Sequence, residues 1–568
     1  MKKLLIPAVI FLALVLRVVG IASFPVGFTQ DEAAIGYDAY SLLLTGKDQW
    51  GESWPLILRS FGDFKMPLYS YLAIPSIAIF GLNEFATRLP NAVIGTLSVL
   101  ATYLMVKELF NFKNKHYTLF TNHYSLAIIA ALLLAISPWH ISLSRGAFEA
   151  NLTTFLIPMG IWLYFLGLEK PKYLIFSAFA FGLNLFSYHS ARIFTILLLP
   201  VLFVMTTKEL KGLAVKKFNQ ILPFCLVLGF FILLFLYSFT LGAGKRAGDV
   251  TIFNPTDKWA AVSDRRYEAV LQGLPTDIAR IFSNKGTYLF HRFTSNYLSY
   301  LSAHFLFTEG VSEWSYGEIP GRGVLYTLEI IPILMGLAFY IKKGELKNMK
   351  LIIIWVLLAP ILAALSKGPG GSGTRVAVMM PAIQILSAYG IVSGIQLIKK
   401  IIKNQMLIKF SYFMVISLYL ISLIFFIEDY RYHAITRGAK FMQYGMDEVV
   451  GYLSEAEDKY GEILLSRSLS VPNIWVQFYQ KIDPRIVQEA SKDWLIYEMQ
   501  GYVSIDQMNE YSLGKYVFGS VDRQKLAGKS SLLVVGKPEE FKENQEALQV
   551  INYPNGLPAF LIVDASKM

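Results

Sequence analysis

Apolar stretches recur along most of the chain, near residues 4–23, 88–107, 125–142, 152–168, 173–190, 192–207, 220–241, 324–341, 350–366, 375–397 and 408–427. A bilayer core takes about 20 helical residues to cross, so this pattern predicts about eleven transmembrane helices. The segment 67–82 is also apolar, but it is brief and carries Pro67 and Pro75. It is expected to be a re-entrant or interfacial helix on the outer face. After residue 427 the pattern changes. Short apolar strands (Glu462 to Leu465, Leu532 to Val535, Phe560 to Val563) alternate with polar helical stretches such as Met446 to Lys459. The expected fold is therefore an all-α polytopic membrane bundle over residues 1–427, with outer-face interfacial helices in the first loop. A small C-terminal α/β extracytoplasmic domain follows over 428–568. Within the bundle the first outer loop is placed at 24–87 and a large outer loop at 242–323.

Composition agrees with this pattern. Of 568 residues, 54% are hydrophobic and 16% charged, and the mean hydropathy is +0.45, as in polytopic membrane proteins. The lone Cys225 lies in an apolar run and is expected to be a small buried hydrophobe. It can form no intrachain disulfide, and no metal-ligand spacing is visible.

A net charge of +11 would suit nucleic acid, but its distribution argues against that partner. The lysines cluster in alternate short loops: Lys107, Lys113 and Lys115; Lys170 and Lys172; Lys208, Lys211, Lys216 and Lys217; Lys342, Lys343, Lys347 and Lys350; Lys399, Lys400 and Lys403. With Lys2 and Lys3 they define a cytoplasmic side. The N-terminus is then cytoplasmic and the C-terminal domain extracytoplasmic, in a bacterial-type plasma membrane. No convincing cleavage site follows the first apolar run and Arg17 interrupts it, so a retained helix is expected. The arginines fall on the other side: Arg59, Arg88, Arg145, Arg192, Arg246, Arg265, Arg266, Arg280, Arg292, Arg322 and Arg375. A guanidinium is a fork suited to phosphate, so the outer face is expected to handle anions. Helix middles are almost free of charge, which argues against a transporter.

The outer polar groups form an ordered series: Asp31-Glu32; Lys65; Glu84 and Arg88; Ser137-Pro138-Trp139-His140; Arg145 and Glu149; Tyr188, His189 and Arg192; and the run Lys367 to Arg375. Each has a plain reading. Glu84 and Arg88 suit an i,i+4 pair, the glycine run a flexible turn, and the basic residues interfacial anchors. Asn151-Leu152-Thr153 fits a glycosylation sequon but abuts a span, and is discounted. A functional reading gains from their convergence on one face of one bundle.

This ordered set resembles the GT-C superfamily of polytopic glycosyltransferases, with the closest likeness to protein O-mannosyltransferases (glycosyltransferase family 39) and lipid A aminoarabinose transferases. The resemblance implies inverting transfer of a sugar from a polyprenyl-phosphate donor to a protein, lipid or envelope-glycan acceptor on the outer face. Asp31 would be the general base, Glu32 its support and Glu149 a second carboxylate. Lys65, Arg145, Tyr188, His189, Arg192 and Arg375 would bind substrate and the departing phosphate. Tyr297, Tyr300, His304, Trp314 and Tyr316 of the large loop would cover the site. Met66 between Lys65 and Pro67, and Glu149 where Asp is common, depart from the family pattern. No cofactor and no metal site are expected, with divalent-metal dependence left open. Membrane lipids are partners and nucleic acid is not. The rival readings are a lipid-linked glycan flippase or polymerase, and a non-catalytic scaffold.

Overall fold

The computed structural model describes residues 2–112, 123–244, 251–255, 257–319, 321–343, 347–368 and 370–568. Lys113, Lys115 and Arg246, used above to orient loops, and Pro369 of the glycine run lie outside the described residues.

Each of the eleven predicted spans contains a helix. Among the described residues, five are long and apolar enough to cross a membrane, or up to seven if each of two bent pairs is one span. The sequence count is thus met in helices but not in full-length crossings. One physical reason is breakage within single apolar runs. The chain bends by 56° between Tyr124–Ile136 and Pro138–Arg145, where Pro138 opens a new helix. It bends by 76° after His189–Met205.

Burial sorts the helices. Ala377–Ile401 is 89% buried in its apolar window and Glu149–Glu169 is 72% buried, which makes them the bundle interior. Phe218–Ala243 and Gln405–Gly438 are 22% and 17% buried, although they are the most apolar of the five. Their side chains face outward as a lipid-contacting surface would. Cys225 lies on this outer surface and is exposed, contrary to the sequence expectation. An apolar run does not distinguish cover by lipid from cover by protein.

The first outer segment is more ordered than a loop. A helix over Gln30–Thr45, a two-strand hairpin (Leu58–Arg59 with Phe64–Lys65) and a helix over Leu68–Phe80 fold against one end of the bundle. At the C-terminus, six strands form one mixed sheet. Glu462–Ser466 lies at its centre, parallel to both Tyr516–Gly519 and Leu532–Gly536. Glu510–Leu513, Pro558–Asp564 and Gln549–Asn552 extend the edges antiparallel.

One continuous apolar core joins this α/β unit to the first outer segment. It includes Phe28, Tyr37 and Tyr69 on one side and Trp475, Phe478 and Trp494 on the other. Gly36 allows the approach, since a Cβ there would stand 2.8 Å from the Phe478 ring. The Tyr37 hydroxyl donates to the Ile482 carbonyl at 2.8 Å. The C-terminal unit is therefore packed directly behind the helix that carries Asp31 and Glu32.

Candidate active site

The Gln30–Thr45 helix starts where its sequence says it should. Thr29 accepts from the Glu32 backbone N–H, and the Glu32 carboxylate accepts from the Thr29 N–H, a reciprocal capping box. This geometry separates the two neighbouring acids. Glu32 turns inward and is completely buried. Its carboxylate takes the Arg88 guanidinium at 2.8 and 3.1 Å and the Ala147 N–H at 2.9 Å. Arg88 spends its remaining donors on the carbonyls of Ile21, Ala22, Pro25 and Gly27. Glu84 is not the partner of Arg88, as helix spacing suggested; it accepts from the Tyr479 hydroxyl of the C-terminal unit at 2.7 Å. Tertiary packing overrides the weak i,i+4 preference.

Asp31 faces the other way and remains partly exposed. Lys65 meets it at 2.8 Å. The lysine is set there by the hairpin, where Lys65 pairs with Leu58 in register and Ser60 closes the turn on Asp63. The next residues, Met66 and Pro67, lead straight into the Leu68–Phe80 helix.

Glu149 arrives on a third element. Ser137 caps the short Pro138–Arg145 helix, and the chain then turns through Gly146. The Asn91 side-chain amide gathers the carbonyls of Leu143, Gly146 and Phe148, fixing that turn. Asn151 donates to the Asn91 side chain and is fully buried, so it is no acceptor for a glycan.

Asp31, Lys65 and Glu149 line one small cavity, together with Tyr188, Tyr316 and Thr374. A larger, more open cavity lies against it and shares Tyr188 as a common wall. His189, Arg192 and Arg375 supply its polar side, and Phe235, Phe239 and Leu362 supply an apolar side. His189 donates through Nε2 to the Phe64 carbonyl at 3.0 Å, which ties the Lys65 hairpin to the start of the His189–Met205 helix. The Arg192 guanidinium donates to the Leu185 carbonyl and the Ser238 hydroxyl, between the rings of Phe186 and Phe235. Arg375 donates to the Lys367 carbonyl at 3.1 Å and pairs with Glu313 at 3.3 Å. The Ser372 hydroxyl donates to the same Glu313 carboxylate at 2.6 Å.

Seven of the nine residues singled out by the sequence thus border one or other of the two cavities: Asp31, Lys65, Glu149, Tyr188, His189, Arg192 and Arg375. Two do not. Glu32 is consumed by Arg88, and Arg145 donates to the Leu16 and Val19 carbonyls beneath Tyr430. Of the large-loop aromatics, Tyr316 reaches the smaller cavity. Tyr300 accepts from the Ser372 N–H, and Trp314 packs edge-on against Phe441. Sequence reasoning missed Thr374, Glu313 and the apolar wall. Phe235, Phe239 and Leu362 look like any other lipid-facing residues in a sequence.

Among the described residues, one group has metal-ligand spacing: Glu428, Asp429 and His433. It lies at the end of the Gln405–Glu428 helix, with Asp429 engaged by Arg322 and Glu428 by His433.

This architecture resembles the GT-C fold of polytopic glycosyltransferases. Residues 65–237 match the family described as dolichyl-phosphate-mannose-protein mannosyltransferase. The chain is similar along 99% of its length, and over 98% of the other chain, to ArnT from Cupriavidus metallidurans bound to undecaprenyl phosphate, with a TM-score of 0.54 and 11% identity. The apo state of that protein gives 0.53 and 12% over the same extents. An oligosaccharyltransferase from Archaeoglobus fulgidus aligns over 84% of this chain and 64% of its own, at 0.45 and 13%. No curated protein sequence matches the chain.

Proposed function

We propose that this protein is an inverting membrane glycosyltransferase, moving a sugar from a polyprenyl-phosphate donor to an acceptor hydroxyl at the outer face. The observation that carries this reading is a pair of neighbouring cavities with Tyr188 as a shared wall. One is cationic and apolar, the other holds carboxylates, and Tyr188 stands between them. A lipid phosphate needs both properties of the first: arginine donors for its oxygens and an apolar wall for its chain. The similarity to a structure bound to undecaprenyl phosphate supports the same donor class.

In this arrangement the sugar bridges the cavities. The acceptor oxygen attacks the anomeric carbon from the carboxylate side, and Asp31 takes the hydroxyl proton. Lys65 holds the Asp31 carboxylate in one orientation through their 2.8 Å ion pair. The bond from anomeric carbon to phosphate oxygen breaks, and its electron pair stays with the phosphate. Arg192, Arg375 and His189 stand where that charge develops. Glu149 hydrogen-bonds the sugar or acceptor from the opposite wall. Attack and departure on opposite faces invert the anomeric centre. The N-terminus is cytoplasmic and the α/β unit extracytoplasmic, as the lysine distribution implies.

The test is direct. Purified protein in vesicles is offered a panel of polyprenyl-phosphate sugars with peptide, lipid and glycan acceptors, and products are read by mass spectrometry. One donor should yield a product of inverted configuration. Absence of transfer from every donor, with no binding of polyprenyl phosphate, would sink the reading.

A further inference from the structure

We infer that residues 260–298 of the large outer loop form a platform whose apolar stripe inserts into the outer leaflet of the bilayer. The segment holds three helices, Ala260–Leu271, Thr276–Phe282 and Lys285–Tyr300. In the first, Tyr267, Val270 and Leu271 are exposed at i, i+3 and i+4. In the second, Ile278, Ile281 and Phe282 repeat the same spacing, again exposed. In the third, Phe290 and Leu298 lie eight residues apart on one face, both exposed.

An amphipathic helix normally turns such a stripe into a protein core. Here it turns outward. Across 257–295 only Val262, Ala279 and Ser283 are buried. Three helices with so little interior need an external apolar phase to cover their stripes.

Three observations select lipid as the cover. The first is height. The Tyr297 hydroxyl donates to the Leu357 carbonyl at 2.7 Å, at the outer end of the Lys347–Leu358 helix. Asn296 donates to the carbonyls of Ala364 and Ser366. These bonds hold the platform level with the ends of the apolar helices. The second is continuity. The Thr207–Ser238 helix and the Phe239–Ala243 turn that follows it carry exposed Tyr237, Phe239 and Leu241, so their apolar surface leads up to the loop. The third is charge. The stretch 257–295 carries six Lys or Arg against four Asp or Glu, including Lys258, Arg265, Arg280 and Lys285. That excess suits phosphate headgroups. Ala363 and Ser366, beside the platform's anchor points, line the larger cavity, so the platform flanks the route by which a lipid-borne ligand reaches it.

The test uses the full-length chain with Cys225→Ser, reconstituted in vesicles of phosphatidylethanolamine and phosphatidylglycerol. Nitroxides are attached at Leu271→Cys, Phe282→Cys and Phe290→Cys, and for comparison at Arg265→Cys and Thr276→Cys, which lie on the opposite faces of the first two helices. The ratio of oxygen to nickel-chelate collision rates should be several-fold higher at the three apolar positions. Equal ratios at all five overturn the proposal. So does spin–spin broadening that vanishes on dilution with unlabelled protein, which would make the cover a second copy. The unsubstituted protein gives an independent reading, with a phospholipid carrying a diazirine near the glycerol end of its acyl chain. Adducts on peptides from 260–298 are expected, and adducts confined to the spans would refute the platform.

Discussion

Glu32 and Arg88 are joined at 2.8 Å in complete burial, one residue beyond an aspartate that opens onto a cavity. Adjacent carboxylates in one helical turn have therefore taken opposite roles. Glu32 locks the first outer segment to the bundle, and Asp31 is left to face the substrate space.

Removing one member of the locked pair strands the other. Arg88→Met should destabilise the protein by about 3–5 kcal/mol, because an uncompensated carboxylate stays buried. Adding Glu32→Gln to that variant should recover part of the loss. Thermal unfolding of the four proteins in one detergent checks this, and additive losses would contradict the coupling.

Asp31→Asn should lower transfer by about 10²–10⁴-fold, the usual contribution of a positioned base. Binding of polyprenyl phosphate should hardly change, since Asp31 lines the other cavity. Transfer at the parent rate would remove Asp31 from the mechanism.

Arg375 and Glu313 predict opposite effects. Arg375→Gln should weaken binding of polyprenyl phosphate by roughly tenfold or more, as expected for a lost charge-assisted hydrogen bond. Glu313→Gln should tighten it, because the carboxylate now held by Arg375 and Ser372 competes with phosphate. Titration of both variants with undecaprenyl phosphate decides; weaker binding in Glu313→Gln would show that the acid helps to hold the ligand.

Stability should also depend on pH through the turn that follows the Gln30–Thr45 helix. Burial pushes the Asp48 carboxyl up to about 6, and its neighbour Asp38 is raised too, first by burial and then by Asp48. A folded pKa above the unfolded value near 3.9 favours the folded state at low pH. That contribution is complete below about pH 4 and is lost as pH rises through 6. Asp48→Asn keeps an acceptor for the Trp50 and Glu52 N–H groups. It should flatten the fall in apparent Tm between pH 4 and 7, and an unchanged slope would assign it to other groups.

Much of this protein was legible in its sequence because membrane insertion imposes a simple code. Apolar length located a helix in each of the eleven segments, and alternating short strands announced the C-terminal sheet. Of the nine residues singled out from the outer polar series, seven border the cavities. Those signals are local: span length, strand period and charge at helix ends are written residue by residue.

What stayed hidden depends on packing between distant segments. The sequence cannot say that Glu32 is spent on Arg88, 56 positions away, while Asp31 is free to face a cavity. It cannot separate Phe235, which walls a cavity, from Cys225 on the outer surface of the same helix. Nor does it show that the C-terminal sheet braces the helix bearing Asp31. Burial, partner and facing direction are properties of the assembled bundle, because which group loses water is fixed only when several elements close around it.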